Sequence, residues 1–169
     1  HKHAPSTAEV LSNLEAIVQM QSPDDTVAFD CADIYTGVEE LLGSLLRRLA
    51  AHHGPRAASR VRIHTKLVPD RAHLDRVDYA YVSAIVERSL SRLGLERLDL
   101  VQYAWWDYDV PGYVECGLHL EELRRQGKIA AVGVTNFDVQ RLGEILEAGV
   151  QVQANQLQYS ALDHRPEPD

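Results

Sequence analysis

The chain is short of several things, and each shortage excludes something. It has two cysteines, Cys31 and Cys116, far apart and in no CxxC pattern. That excludes a disulfide framework and fits free thiols in a reducing compartment, so an intracellular site is expected, with cytoplasm and organelle both open. Basic residues are scarce, 17 against 25 acidic, for a net charge of −8 and a pI of about 5.4. That balance argues against non-specific binding to nucleic acid or to anionic membrane. No apolar run approaches the ~20 residues of a membrane-spanning helix. There is no internal repeat, no low-complexity tract and no signal-peptide profile. The eight histidines fall in no metal-ligand spacing with cysteine, so no metal site is expected. The chain begins at His1 rather than methionine, as a processed product or a fragment would.

What is present is a regular alternation. With 169 residues, 45% of them hydrophobic, the chain suits one globular domain. Val10, Leu11, Leu14, Ile17 and Val18 recur at helical spacing and predict a helix over Ala8 to Met20. Ser6 and Thr7 are both possible N-caps, and Glu9, three residues after Ser6, favours Ser6 through a capping box. Further helices are expected at Val38–Ala51, Asp75–Leu93, Gly112–Gln126 and Val139–Ala148. His52-His53-Gly54-Pro55 should end the first of these. Strands are expected at Val27–Phe29, Arg60–Lys66, Leu98–Tyr103, Ile129–Val134 and Val150–Ala154. His1–Pro5 and His164–Asp169 read as irregular. Strands and helices alternating with short connections imply a parallel sheet covered by helices. A closed eight-stranded barrel takes about 250 residues, roughly 200 at the least. The alternatives are therefore an open sheet or part of a barrel.

In such folds ligands bind at the C-terminal ends of the strands. Asp30 and Tyr35 lie on the loop after the first strand, and Lys66 at the end of the second. Each has a plain structural reading, since an acid there caps the next helix and a loop tyrosine packs. Three such groups on neighbouring strand ends read together as a site. His64 shares a strand face with Lys66 and is expected to be packed deeper inside. His52, His53 and His119 are expected to be solvated. Trp105 and Trp106 suit either a pocket wall or packing, and Thr135 or Asn136 either a helix cap or a ligand contact.

Six stretches, in order and at these spacings, resemble the aldo-keto reductase family. They are Phe29–Tyr35, Ile63–Lys66, Leu98–Tyr103, Gly127–Ile129, Gly133–Phe137 and Asn155–Tyr159. The resemblance implies a parallel (β/α) TIM-barrel type of fold, here one partial domain over 1–169 with the first and last strands missing. It implies NADPH-dependent carbonyl reduction. By motif position it makes Asp30, Tyr35 and Lys66 the catalytic residues, and Thr135, Asn136 and Gln156 the holders of the nicotinamide carboxamide. It also implies a histidine directly before the tryptophan, where this chain has Ala104 in Tyr103-Ala104-Trp105-Trp106. The aromatic that stacks on the nicotinamide and the basic residues that hold the phosphates belong to a part of the barrel after residue 169.

The chemistry needs these types. Carbonyl reduction adds hydride at carbon and a proton at oxygen. A phenol gives up its proton more readily beside an ammonium, the role that falls to Lys66, with Asp30 holding it. Alanine has no donor to orient the carbonyl, and losing one such donor costs roughly 100- to 1000-fold in rate. Two readings follow. One is a degenerate, weakly active or non-catalytic relative, with a structural role in a larger complex whose partner covers the open strand edges. The other is an NADPH-dependent reductase of aldehydes or ketones with Tyr35 as proton donor.

Overall fold

The computed structural model describes residues 5–164. Its first element, α1 (Thr7–Met20), begins at the expected cap: the Ser6 hydroxyl accepts from the Glu9 amide, and the Glu9 carboxylate accepts from the Ser6 amide. Next come β1 (Val27–Asp30), α2 (Val38–His53), the short α3 (Pro55–Ser59) and β2 (Val61–Leu67). A 3₁₀ segment (Arg71–Arg76) precedes α4 (Tyr79–Leu93), β3 (Leu98–Ala104) and α5 (Tyr113–Arg125). The described chain closes with β4 (Ile129–Thr135), α6 (Val139–Glu147) and β5 (Val152–Gln156).

Several boundaries move, each for a visible reason. The expected helix from Asp75 starts only at Tyr79, because the Asp78 carboxylate accepts from the Tyr81 amide and caps it there. The proline after Gly54 does more than stop α2: it sits in the first turn of α3, where a missing N–H costs nothing. The last strand starts two residues later than expected, because Val150 still donates back to Ile145 at the end of α6. Asn155 and Gln156 therefore lie in β5 itself. His1–Ala4 and Arg165–Asp169 lie outside the described residues.

The five strands form one sheet in the order β1-β2-β3-β4-β5, with every pair parallel. This is five strands of a (β/α) barrel, the partial barrel that the alternation implied. Alternation along each strand sorts the residues into two faces. Val61, Ile63, Thr65 and Leu67 of β2 face outward and are all buried. There they join one core with Leu42, Leu45 and Leu49 of α2, Val82, Val86 and Leu90 of α4, and Leu120 and Leu123 of α5. The register Lys66↔Gln102, Ala104↔Thr135 and Thr135↔Gln156 puts those residues together on the inner face. The helices thus bury the outer face and leave the inner one, with its polar rim, for a site. No helix of the described residues is long and apolar enough to cross a membrane.

Candidate active site

The rim is built by parallel register. Asp30 ends β1 opposite His64, which sits half-buried two residues before Lys66 on the same face. Lys66 Nζ lies 2.5 Å from Asp30 Oδ2 and donates to the Cys31 carbonyl at 3.2 Å. The Lys66 side chain is 9% exposed and that of Asp30 45%. A nearly buried ammonium is thus fixed by a carboxylate that still reaches water, which limits the desolvation of the pair.

The loop carrying Tyr35 is tied down on two sides. Its backbone continues the strand pairing, with Cys31 donating to the His64 carbonyl at 2.8 Å and Asp33 to the Lys66 carbonyl at 3.0 Å. Beneath it lies a buried polar cluster that the sequence reading did not anticipate. Asp33 accepts from the Val68 amide and from Arg88, each at 3.0 Å. Arg92 donates to the Asp33 carbonyl at 3.0 Å and to Glu39 at 3.1 Å, and Glu39 also accepts from Thr65 at 2.8 Å. Burial pushes the Asp33 carboxyl above the usual carboxylate range, and the Val68 amide and the Arg88 charge only partly offset it. Tyr35 itself projects from this anchored loop. The residue is 47% exposed, and its hydroxyl has no hydrogen bond among the described residues. The structure therefore joins Asp30 to Lys66 and leaves Tyr35 on the rim without a bond to either.

Ala104 ends β3 between Lys66 and Thr135 on the inner face, half-buried. Next to it, Thr135 Oγ1 and Gln102 Oε1 are both buried and without a partner among the described residues. Gln102 was missed in the sequence. Its signal was period-2 alternation, which places it with Leu100 and Ala104 on the inner face. Asn136 holds a left-handed backbone, φ 57°. Its amide donates to the Gln156 carbonyl and its Oδ1 accepts from the Gln158 amide, each at 2.9 Å. Gln156 is exposed beside Thr135. Thr135, Asn136 and Gln156 therefore form one contiguous patch. Of the two tryptophans, Trp105 packs, 6% exposed, with Nε1 donating to the Val110 carbonyl at 3.0 Å. Trp106 donates to the Pro69 carbonyl at 2.7 Å and lines an open cavity of about 610 Å³ with Ile34, Val68 and Tyr81.

The chain matches known proteins along most of its length. Glyoxal reductase of Bacillus subtilis (strain 168) is 39% identical over 82 residues, covering 48% of this chain and 29% of that protein. Flagellar radial spoke protein 5 of Chlamydomonas reinhardtii is 27% identical over 174 aligned residues, covering 81% and 32%. Among solved structures, a thermostable aldo-keto reductase in complex with the inhibitor epalrestat superposes with a TM-score of 0.76 at 25% identity, covering 95% of this chain and 53% of that one. A Bombyx mori aldo-keto reductase in complex with NADP gives 0.74 at 21% identity, covering 94% and 50%, and speaks to the fold alone. The chain thus spans about a third of the length of these relatives and about half that of these structures. The family described as "Aldo/keto reductase family" matches residues 11–169. With that match on the same strand ends that carry the Asp30–Lys66 pair, the chain belongs to the aldo/keto reductase family.

Proposed function

We propose that this chain carries an aldo/keto reductase site with its proton-delivery group retained and its carbonyl-orienting donor lost, so that it is at best weakly catalytic. The observation that carries the reading is Ala104, on the inner rim between Lys66 and Thr135. A substrate carbonyl placed against Tyr35 would find no side-chain donor there. Tyr35 would give the proton to the carbonyl oxygen, with the Lys66 ammonium held by Asp30 at 2.5 Å on the same rim.

NADPH, when bound, supplies hydride to the carbonyl carbon, and Thr135, Asn136 and Gln156 would hold its carboxamide. The unpartnered, buried Thr135 Oγ1 fits that use. The substrate class is a small aldehyde or ketone. A second reading, an active NADPH-dependent reductase, is favoured by the intact Asp30–Lys66 pair. A structural role in a larger assembly is the far end of the first reading, and radial spoke protein 5 is a relative whose name points that way.

The test is a fluorescence titration of the purified full chain with NADPH, followed by turnover of glyoxal and simple ketones by the protein and by its Ala104→His variant. The expected result is NADPH binding by both, with the variant faster by roughly 100- to 1000-fold. Turnover of about 1–1000 per second with Ala104 in place, and no gain from histidine, would establish the second reading instead. A folded protein that binds no NADPH would sink both enzymatic readings and leave the structural one.

A further inference from the structure

Away from the rim, α1 and α2 meet at a second cluster of chemically capable groups. Glu15 of α1 is 9% exposed. Its Oε2 accepts from Arg48 Nε at 2.6 Å, and Arg48 is steadied by Ser12 at 3.1 Å. Its Oε1 faces two imidazoles, His52 Nδ1 and His53 Nε2, each at 2.9 Å. Neighbouring helical residues point about 100° apart, since a turn holds 3.6 residues. Here the last turn of α2 nonetheless delivers both rings to one oxygen, one through Nδ1 and the other through Nε2. These histidines were expected to be solvated. Their outer faces are, with side chains 52% and 38% exposed, but each has a nitrogen turned inward.

We propose that Glu15, His52 and His53 bind a divalent transition metal of the zinc type, which clamps α1 onto α2. The three donor atoms lie within 4.8 Å of one another, and this is the group of that kind found among the described residues. Ligand bonds of about 2.0–2.2 Å, set at angles between a right angle and the tetrahedral value, put neighbouring donors roughly 2.9–3.5 Å apart. The two oxygen–nitrogen separations already meet that spacing. Two imidazoles and a carboxylate suit zinc, copper(II) or nickel, and not calcium or magnesium, which prefer all-oxygen shells. Arg48 takes the outer position, fixing the carboxylate so that Oε1 stays aimed at the ion. Its shared claim on the carboxylate charge also sets an upper bound on affinity. The exposed side of the rings leaves room for water as a fourth ligand.

The place in the fold says what the ion would do. The loop with Tyr35 leads from the C-terminal end of β1 into the start of α2. His52 and His53 end that helix, at the opposite, N-terminal face of the sheet. In barrels of this type that face carries stability and the other carries chemistry. The ion would therefore be structural.

The experiment uses tag-free full chain, stripped with a chelator and titrated with zinc chloride by calorimetry, with thermal melts in parallel. Cobalt(II) substitution gives a visible spectrum that reports imidazole ligation. His52→Gln, His53→Gln and the double variant are compared with the parent. Both residues are partly exposed, and every other histidine remains in all arms. The expected result is one saturable site, weakened in each single variant by more than the roughly 10- to 100-fold that a lost outer-shell partner costs. Zinc should raise the melting temperature of the parent and not of the double variant. Equal zinc affinity in parent and double variant would overturn the proposal. So would no zinc uptake by the parent, which would show the imidazoles to be N–H donors to Glu15 and nothing more. Neither outcome touches the reading of the Asp30–Lys66 rim.

Discussion

Glu39 gives the sharpest test of how the rim is held. It is fully buried, and it bridges Thr65 of β2 at 2.8 Å to Arg92 of α4 at 3.1 Å. Breaking a buried charge pair costs about 3–5 kcal/mol when the surviving charge is stranded. Arg92 would not be stranded. It keeps Glu40 at 3.2 Å and the Asp33 carbonyl at 3.0 Å, and its side chain is 30% exposed. Thr65 is worse placed: at 1% exposed, its hydroxyl would lose the carboxylate and keep only the weak Cys31 sulfur as a partner, at about 1–3 kcal/mol. The space left by the side chain adds to this, so Glu39→Ala should destabilise by about 3 kcal/mol, near the low end of the pair-breaking range. At roughly 2–4 °C per kcal/mol for a chain of this size, the melting point should fall by about 6–12 °C. Urea denaturation measures the loss directly. Thr65→Val should cost little more in the Glu39→Ala background, giving a coupling of about 1 kcal/mol or more. Amide exchange at Asp33 to Tyr35 should also quicken, because the same cluster anchors that loop. A loss under about 1 kcal/mol, or additive behaviour of the two variants, would refute the view that this cluster fastens the loop.

Three further outcomes follow from particular contacts. Gly43 lies inside α2, and a Cβ there would fall 2.7 Å from the backbone oxygens of both Arg92 and Leu93. Gly43→Ala should therefore lower stability in urea by about 1–3 kcal/mol despite a helix-propensity gain of about 1 kcal/mol; a more stable variant would disprove the close approach of α2 to α4. Burial pushes the Cys31 thiol up to about 11 and raises Cys116 as well, and both are fully buried. A thiol reagent should label neither in the native protein and both after unfolding, and fast native labelling would contradict that. Burial pushes the Glu15 carboxyl up, but hydrogen bonds from Arg48, His52 and His53 outweigh it and hold it at about 2. A depressed carboxylate stabilises fully above its unfolded value of about 4.3 and loses that contribution as pH falls toward its folded value. The stability gap between the protein and Glu15→Gln should thus shrink from about pH 4 to 2; a gap constant over that window would count against the cluster.

The fold was readable because each outward strand face and each helix stripe is apolar at its own period. Val61, Ile63 and Leu67 alternate, and Leu42, Leu45 and Leu49 step by helical turns, so element type followed directly. The boundaries that moved were set by single hydrogen bonds, such as Asp78 to the Tyr81 amide, which periodicity does not contain. The Asp30–Lys66 pairing was legible because parallel neighbours put their C-terminal ends on one rim. The position of the Tyr35 hydroxyl was not, since a loop side chain has no register. Least legible was the meeting of Glu15 with His52 and His53, separated by 37 and 38 residues. It depends on how α1 lies against α2, and no local spacing encodes that.

The two faces of the sheet separate what holds this fold from what the proposed reading assigns to its chemistry. Val61, Ile63 and Leu67 of the outer face are buried in one core with α2, α4 and α5. The cluster that anchors the Tyr35 loop draws on that same side, through Thr65 and Arg92. Selection for a stable scaffold alone would therefore keep the loop in place. Lys66, Ala104, Thr135 and Gln156 belong to the inner face, on neighbouring strand ends. Alanine at this half-buried strand end brings no polar atom of its own, although Thr135 Oγ1 and Gln102 Oε1 beside it are buried without a partner among the described residues. At Thr65 and Glu39, by contrast, each partner needs the other. On the proposed reading, the outer face keeps the scaffold whatever side chain stands at position 104, since a fold does not by itself fix the chemistry of its rim.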